Sequence, residues 1–256
     1  MRKQGLIVSL TSGVRGGVGK SVVGVLLTYS LNYLGHSTLL VDAGGGSTRY
    51  VIDAPEPPYT RELSDTYNAI LSVRFSFKKE KKRLFRKKVE EEKFIDFYLT
   101  PEVRHLKEEE IDKLLVVLPE LKDYFDFIVL DLPAISADYY WKLPSASDLN
   151  IVVLTPEKTV YEQVFSTVKA NWHVIIVNKF DSEIDEHRTA LERIKHIARD
   201  VLALPYDPVL DLLALHGVGL LSYASPSKET TNALGDLVYH LSSIREAGEV
   251  RRVVRS

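Results

Sequence analysis

Cysteine is absent from all 256 residues, which excludes disulfides, thiolate zinc sites and cysteine-ligated iron–sulfur clusters. Methionine occurs once and glutamine twice, against 33 Lys and Arg and 35 Asp and Glu. So few thermolabile residues beside so much charge is the composition expected of a thermophile. No apolar run approaches the roughly 20 residues of a membrane span, and Met1 to Leu10 lacks the long apolar region of a secretory signal, so a cytoplasmic chain is expected. Neither sign of charge dominates, with a formal net charge of −2; a uniformly basic coat is excluded, and local basic patches are not. What the chain has is apolar residue enough, 45% of the total, to bury the core of one α/β domain. A single domain over 1–256 is expected, with a basic insert near 74–93 and a short basic tail at 249–256.

The densest chemical signal is the stretch SLTSGVRGGVGKSVVGVLL near the N-terminus. An apolar strand runs into glycines, then Lys20 and Ser21, then an amphipathic pattern. Glycines between strand and helix let backbone N–H groups turn inward around an oxyanion, and the helix start adds the positive end of its dipole. Gly16, Gly17, Val18, Gly19, Lys20, Ser21 and Val22 are therefore the candidate phosphate cradle. Lys20 would reach the β- and γ-phosphates of ATP, and the Ser21 hydroxyl would bind magnesium.

Periodicity predicts seven apolar strands alternating with helices. The strands are placed at 5–11, 37–41, 94–99, 127–132, 149–155, 172–177 and 201–206, and the helices at 20–34, 108–124, 208–216 and 226–246, with another expected over 59–71. Gly35 ends the first helix, and the proline-rich run at 53–59 reads as a surface loop. Two strands end in acidic residues, Asp42 and Asp131. An acidic residue after an apolar strand suits a magnesium-organising role near a γ-phosphate. The seven histidines show no metal-ligand spacing, and Ser30, Ser145 and Ser147 lack the context of a nucleophile elbow.

In its spelling the loop resembles the deviant Walker A motif of the ParA/MinD ATPases, usually KGGxGK followed by a hydroxyl residue. Arg15 stands where that family has a signature lysine that contacts nucleotide held by the partner subunit. An arginine there keeps the cation and adds a planar fork suited to phosphate oxygens. The resemblance implies a three-layer, doubly wound, mostly parallel sheet. It implies catalytic roles for Lys20, Arg15, Asp131 and Asp42, with the metal organised by Ser21, Asp42 and Asp131. FDFIVLDLPA is similar to the family's switch II, with Ile135 where a small residue is usual. Asn178 matches the position that offers its amide to adenine, and Pro205 and Asp207, within LPYDP, match the segment on the other side of the base. The missing cysteines set the chain apart from nitrogenase iron protein, the iron–sulfur carrier ATPases and the zinc-bound targeting ATPases that share the loop. One position departs sharply: the family's second acidic residue after the strand ending at Asp42 is Gly44 here.

The resemblance thus implies ATP and Mg2+ as cofactors and a homodimer formed across the nucleotide. Two readings stay open: a slow ATPase that positions cargo, and a nucleotide-gated binding module with little turnover because of Gly44. Residues 74–93 hold ten basic and four acidic side chains interleaved with Phe75, Phe77, Leu84 and Phe85, which suits a charged, solvated helix or hairpin, or a surface for DNA or an anionic membrane. The tail EVRRVVRS has only three valines as its apolar content, enough for weak membrane contact at about 0.8 kcal/mol per buried CH₂. An unidentified stimulating or cargo protein completes the expected partners. A ligase or kinase on the same scaffold is the third reading, with no substrate pocket visible in the sequence.

Overall fold

The computed structural model describes residues 4–43, 48, 51, 71–81, 89–99, 105–222 and 224–247. Its sheet has eight strands: β1 (Leu6–Thr11), β2 (Thr38–Asp42), β3 (Leu71–Lys81), β4 (Val89–Leu99), β5 (Phe127–Asp131), β6 (Leu149–Leu154), β7 (Val174–Phe180) and β8 (Val201–Pro205). Their order is β3-β4-β2-β5-β1-β6-β7-β8. All pairs are parallel except β3 with β4 at one edge, as the sequence pattern led us to expect of a mostly parallel sheet. Strands covered on both faces need continuous apolar runs. LIVSLT and FIVLD are such runs, buried at every position.

The polar residues inside β1 do not break this rule, because each is bonded. Ser9 Oγ donates to Asn150 Oδ1 on β6, and Thr11 Oγ1 accepts the Gly13 amide at 3.2 Å. Helix α1 (Lys20–Tyr33) lays Val23, Val25, Leu26, Leu27 and Leu31 on the sheet. It ends where Gly35 takes φ 93° and the His36 amide returns to Leu31 O at 3.0 Å, a left-handed stop that glycine adopts without strain.

Further α-helices among the described residues are α2 (Glu108–Leu121), α3 (Lys142–Ala146), α4 (Lys158–Thr167), α5 (Asp185–Ile197), α6 (Pro208–His216) and α7 (Lys228–Ala247). Helix α1 packs with α6 and α7, and α2 with α3; right-handed crossovers place these two groups on opposite faces of the sheet. α2 is one turn shorter than its apolar pattern suggested. Pro119 lies in its last turn, and the amides of Lys122, Asp123 and Tyr124 tighten to carbonyls three residues back, which closes the helix at Leu121. Among the described residues no helix is long and apolar enough to cross a membrane.

The eighth strand comes from the basic insert, which is a β-hairpin and not a helix. Strand β4 begins at Val89, well before the predicted start at Phe94, and β3 pairs with it so that Lys78 faces Glu92, Lys79 faces Glu91 and Arg74 faces Asp96. β4 joins the main sheet only through Tyr98 and Leu99, opposite Leu39 and Leu40 of β2. The helix expected at 59–71 lies outside the described residues except at Leu71, which opens β3. The loop at 53–59 and the tail at 249–256 lie outside them too.

Candidate nucleotide site

The strand order reverses at β1: its crossover leads by α1 to β2 on one side, and β6 lies on the other. In open parallel sheets such a point leaves a crevice at the carboxyl ends of the strands. Here the crevice is a cleft of about 760 Å³ whose wall includes Gly16, Gly17, Gly19, Lys20, Ser21, Val22, Asp131, Asn178, Pro205 and Asp207. The structure therefore brings together most of the residues expected at a nucleotide site. Val18 contributes only its backbone, since its side chain is buried in the core. Arg15 is exposed beside the cleft, and Asp42 is buried behind Asp131.

The loop is held by neighbours as well as by glycine. At Gly19, φ is 88° and a Cβ would stand 2.4 Å from Asn178 Nδ2, so no other residue fits without displacement. That amide donates to Val18 O at 2.8 Å. Asn178, expected at the base, is thus a clamp on the loop in this structure. On the other side Ile135 is buried and its amide donates to Gly13 O at 2.8 Å. The bulky residue at this position is accommodated by turning into the core, while Leu132, Pro133 and Ala134 line the cleft.

Lys20 is 8% exposed, and its Nζ donates to Ser12 Oγ at 2.9 Å. Ser12 Oγ in turn donates to the Arg15 carbonyl. Burial lowers the proton affinity of Lys20, and the charge of Asp131 works against that. Asp131 is 1% exposed, and burial pushes its pKa up; the neighbouring Ser21 and Thr48 hydroxyls and the charge of Lys20 oppose the rise without cancelling it. One of its oxygens, Oδ2, accepts from Thr48 Oγ1 at 2.7 Å, and the other, Oδ1, is buried with no hydrogen-bond partner among the described residues. Asp42 is its register partner on β2 and accepts the Thr48 amide at 3.2 Å.

An orphaned carboxylate oxygen beside a serine hydroxyl is a hard, oxygen-only environment. It fits Mg2+, which keeps most of its water and binds a few protein groups together with phosphates. Ser21 and Asp131 would hold the ion or its water, with Asp42 behind them.

Asp207, in the segment expected beside the base, lines the cleft and also holds the local fold with its side chain. Its carboxylate accepts the amides of Val209 at 3.0 Å and Ser227 at 2.7 Å. Burial opposes its charge, yet these bonds and those of the Ser227 and Thr230 hydroxyls outweigh burial and hold its pKa below the ordinary value. It caps α6 and ties it to the start of α7, while Pro205 and Tyr206 present their surface to the cleft. Two partners escaped sequence reasoning. Ser12 belongs to no motif element considered, and Thr48 follows three glycines with no periodic pattern to mark it. Gly44 lies outside the described residues.

A family model described as the CobQ/CobB/MinD/ParA nucleotide binding domain matches residues 10–218. The chain is 25% identical over 223 residues to the septum site-determining protein MinD of Bacillus subtilis (strain 168), covering 85% of this chain and 76% of that one. Among solved structures it is similar to the cell division ATPase MinD of Pyrococcus furiosus, with a TM-score of 0.67, 20% identity, and coverage of 94% of this chain and 99% of that one. The septum site-determining protein MinD of Pyrococcus horikoshii OT3, complexed with Mg-ADP, gives a TM-score of 0.64 at 20% identity over 94% of this chain and 98% of that one. The matched span runs from the end of β1 past α6, across the loop, both acidic strand ends and the wall of the cleft, and the chain belongs to the CobQ/CobB/MinD/ParA nucleotide-binding domain family.

Proposed function

We propose that this chain binds ATP with Mg2+, pairs with a second copy across the nucleotide, and hydrolyses ATP slowly as a positioning ATPase of the ParA/MinD type. The observation that carries the reading is the unpartnered, buried Oδ1 of Asp131 beside Ser21, with Lys20 held next to it by a single serine hydroxyl. A buried ammonium and an orphaned carboxylate oxygen are costly unless an anion and a cation complete them.

The loop amides and Lys20 would bind the β- and γ-phosphates, Lys20 leaving Ser12 for them. Ser21 and Asp131 would orient the metal and its water. Mg2+, when bound, neutralises charge on the phosphoryl group in transfer. Asn178 and Ile135 keep the loop backbone in place, so its amides need no reorganisation when phosphate arrives. Arg15, exposed beside the cleft, would reach the nucleotide of the second copy. The γ-phosphate then favours the paired state and whatever surface that state creates. The names of the relatives, septum site-determining and cell division, support a role in placing something within the cell.

Single-turnover hydrolysis with Mg2+, wild type against Lys20→Ala, tests the reading. Lysine-dependent phosphate release supports the ATPase; binding without it leaves the nucleotide-gated binding module, the reading that Gly44 favours. DNA as the positioned surface is the finer proposal for the hairpin. Its test is a salt-sensitive gel shift with ATP that is lost when Lys78, Lys79, Lys81 and Lys82 become Glu.

A further inference from the structure

Thr48 makes a contact that neither the phosphate loop nor the strand-end carboxylates explain by themselves. It has no exposed surface, yet it does not sit among apolar groups alone. Its hydroxyl donates to Asp131 Oδ2 at 2.7 Å and its amide to Asp42 Oδ2 at 3.2 Å. Those two carboxylates belong to adjacent strands in register, so one residue reaches both.

A buried threonine commonly bonds its hydroxyl to a backbone carbonyl of its own chain segment. This one is on a carboxylate that lines the cleft. A carboxylate free to turn about its last bond can present either oxygen. A hydroxyl on Oδ2 settles which one remains, and the one that remains is the buried, unpartnered Oδ1. Val51, three positions on, is also buried and lines the same cleft, a second, independent side chain from this part of the sequence at the site.

We propose that Thr48 is a positioning residue for the metal: its hydroxyl fixes the Asp131 carboxylate so that Oδ1 faces Mg2+ or a water of its shell, and its amide keeps Asp42 in the same frame. The proposal rests on the Mg2+–ATP reading above. Groups that orient a metal's partners from behind are worth about 10–100-fold in metal affinity. Through them, Thr48 is tied to the metal without being a ligand itself.

The test is calorimetric binding of a slowly hydrolysed ATP analogue to the full chain, in Mg2+ and in EDTA. Wild type is expected to bind more tightly with Mg2+. Thr48→Val keeps the amide contact and removes only the hydroxyl; it is expected to lose about tenfold of the Mg2+-dependent gain while its affinity in EDTA is unchanged, and Thr48→Ser is expected to restore the gain. Thr48→Val with the full Mg2+ gain overturns the proposal, and so does an equal loss in Mg2+ and EDTA, which would mark a merely structural threonine. If Thr48→Val is unfolded by circular dichroism, Thr48→Ala and Thr48→Ser are compared, and equal Mg2+ dependence in the two overturns it. A wild-type chain that binds the analogue in neither condition overturns the nucleotide reading, and this proposal falls with it.

Discussion

Gly19 meets two demands at once: a left-handed backbone at φ 88° and a neighbour, Asn178 Nδ2, where a Cβ would be. A left-handed L-residue costs roughly 1–2 kcal/mol, and the contact adds to it. Gly19→Ala is expected to destabilise the fold by about 2 kcal/mol or more in urea unfolding, and to abolish ATP binding because Asn178 must release Val18 O. His173 makes the opposite kind of statement, one about pH. Its Nδ1 accepts the Asn150 amide at 3.0 Å, which requires the neutral ring with its proton on Nε2, and that Nε2 is buried without a partner. Burial lowers its pKa below 6.5, so the fold favours the neutral form. The stability this contributes is complete above the unfolded value and is lost as pH falls below about 6.5 through the folded pKa. Melting temperatures between pH 8 and 5 should therefore fall in acid, and fall less in His173→Gln, whose amide oxygen can take the Asn150 N–H. His36 shifts in the same direction, first through burial, so part of the acid sensitivity should remain.

At the scale of elements the hairpin stands apart from the rest of the sheet. Among the described residues, β4 pairs with the main sheet only at Tyr98 and Leu99, and β3 pairs only with β4. Replacing residues 74–95 by a short turn is accordingly expected to change the melting temperature by only a few degrees, about 1 kcal/mol for a chain of this size, and to leave ATP affinity unchanged in calorimetry. A large loss of either would mean that the hairpin belongs to the core. Its register also explains what the sequence left open. Read along the chain, Lys78, Lys79, Lys81 and Lys82 look like a cationic run; across the ladder, Lys78 and Lys79 stand opposite Glu92 and Glu91, and opposite charges on facing positions stabilise a sheet. Pairing across a turn is invisible to a pattern read along one strand, so the helix and hairpin readings could not be separated beforehand. The parallel strands were legible because burial on both faces leaves a continuous apolar signature at β1, β5 and β6. The phosphate loop was legible because its glycines answer to backbone geometry, at Gly17 and Gly19 above all. Thr48 and Ser12 were not, since a hydroxyl's role depends on the carboxylate or ammonium that tertiary folding brings to it.

At the scale of the whole molecule, the proposed binding and the proposed pairing would make separate demands on different residues. The groups that would grip phosphate, Lys20 and Ser21, line the cleft, and Lys20 is almost entirely buried in this single chain. Arg15 is exposed; its backbone is fixed by its amide on Ser12 O at 3.1 Å and by its carbonyl, which accepts from Ser12 Oγ, while its guanidinium is carried outward. A cation on a rigid support beside a phosphate site has little to do for its own nucleotide and is well placed for another chain's. Arg15→Ala should then separate the two properties. ATP affinity of the single chain, read by calorimetry in dilute protein, is expected to change less than threefold. The ATP-dependent rise in mass, read by light scattering at higher concentration, is expected to be lost, because a desolvated arginine–phosphate contact across an interface is worth about 2–5 kcal/mol when one partner is removed. Arg15→Lys should recover part of the pairing, having the charge without the fork. If Arg15→Ala pairs as wild type does, the contact across the interface is made by another residue. If it loses ATP affinity along with pairing, Arg15 acts within its own cleft, and the division of labour between buried and exposed cations fails.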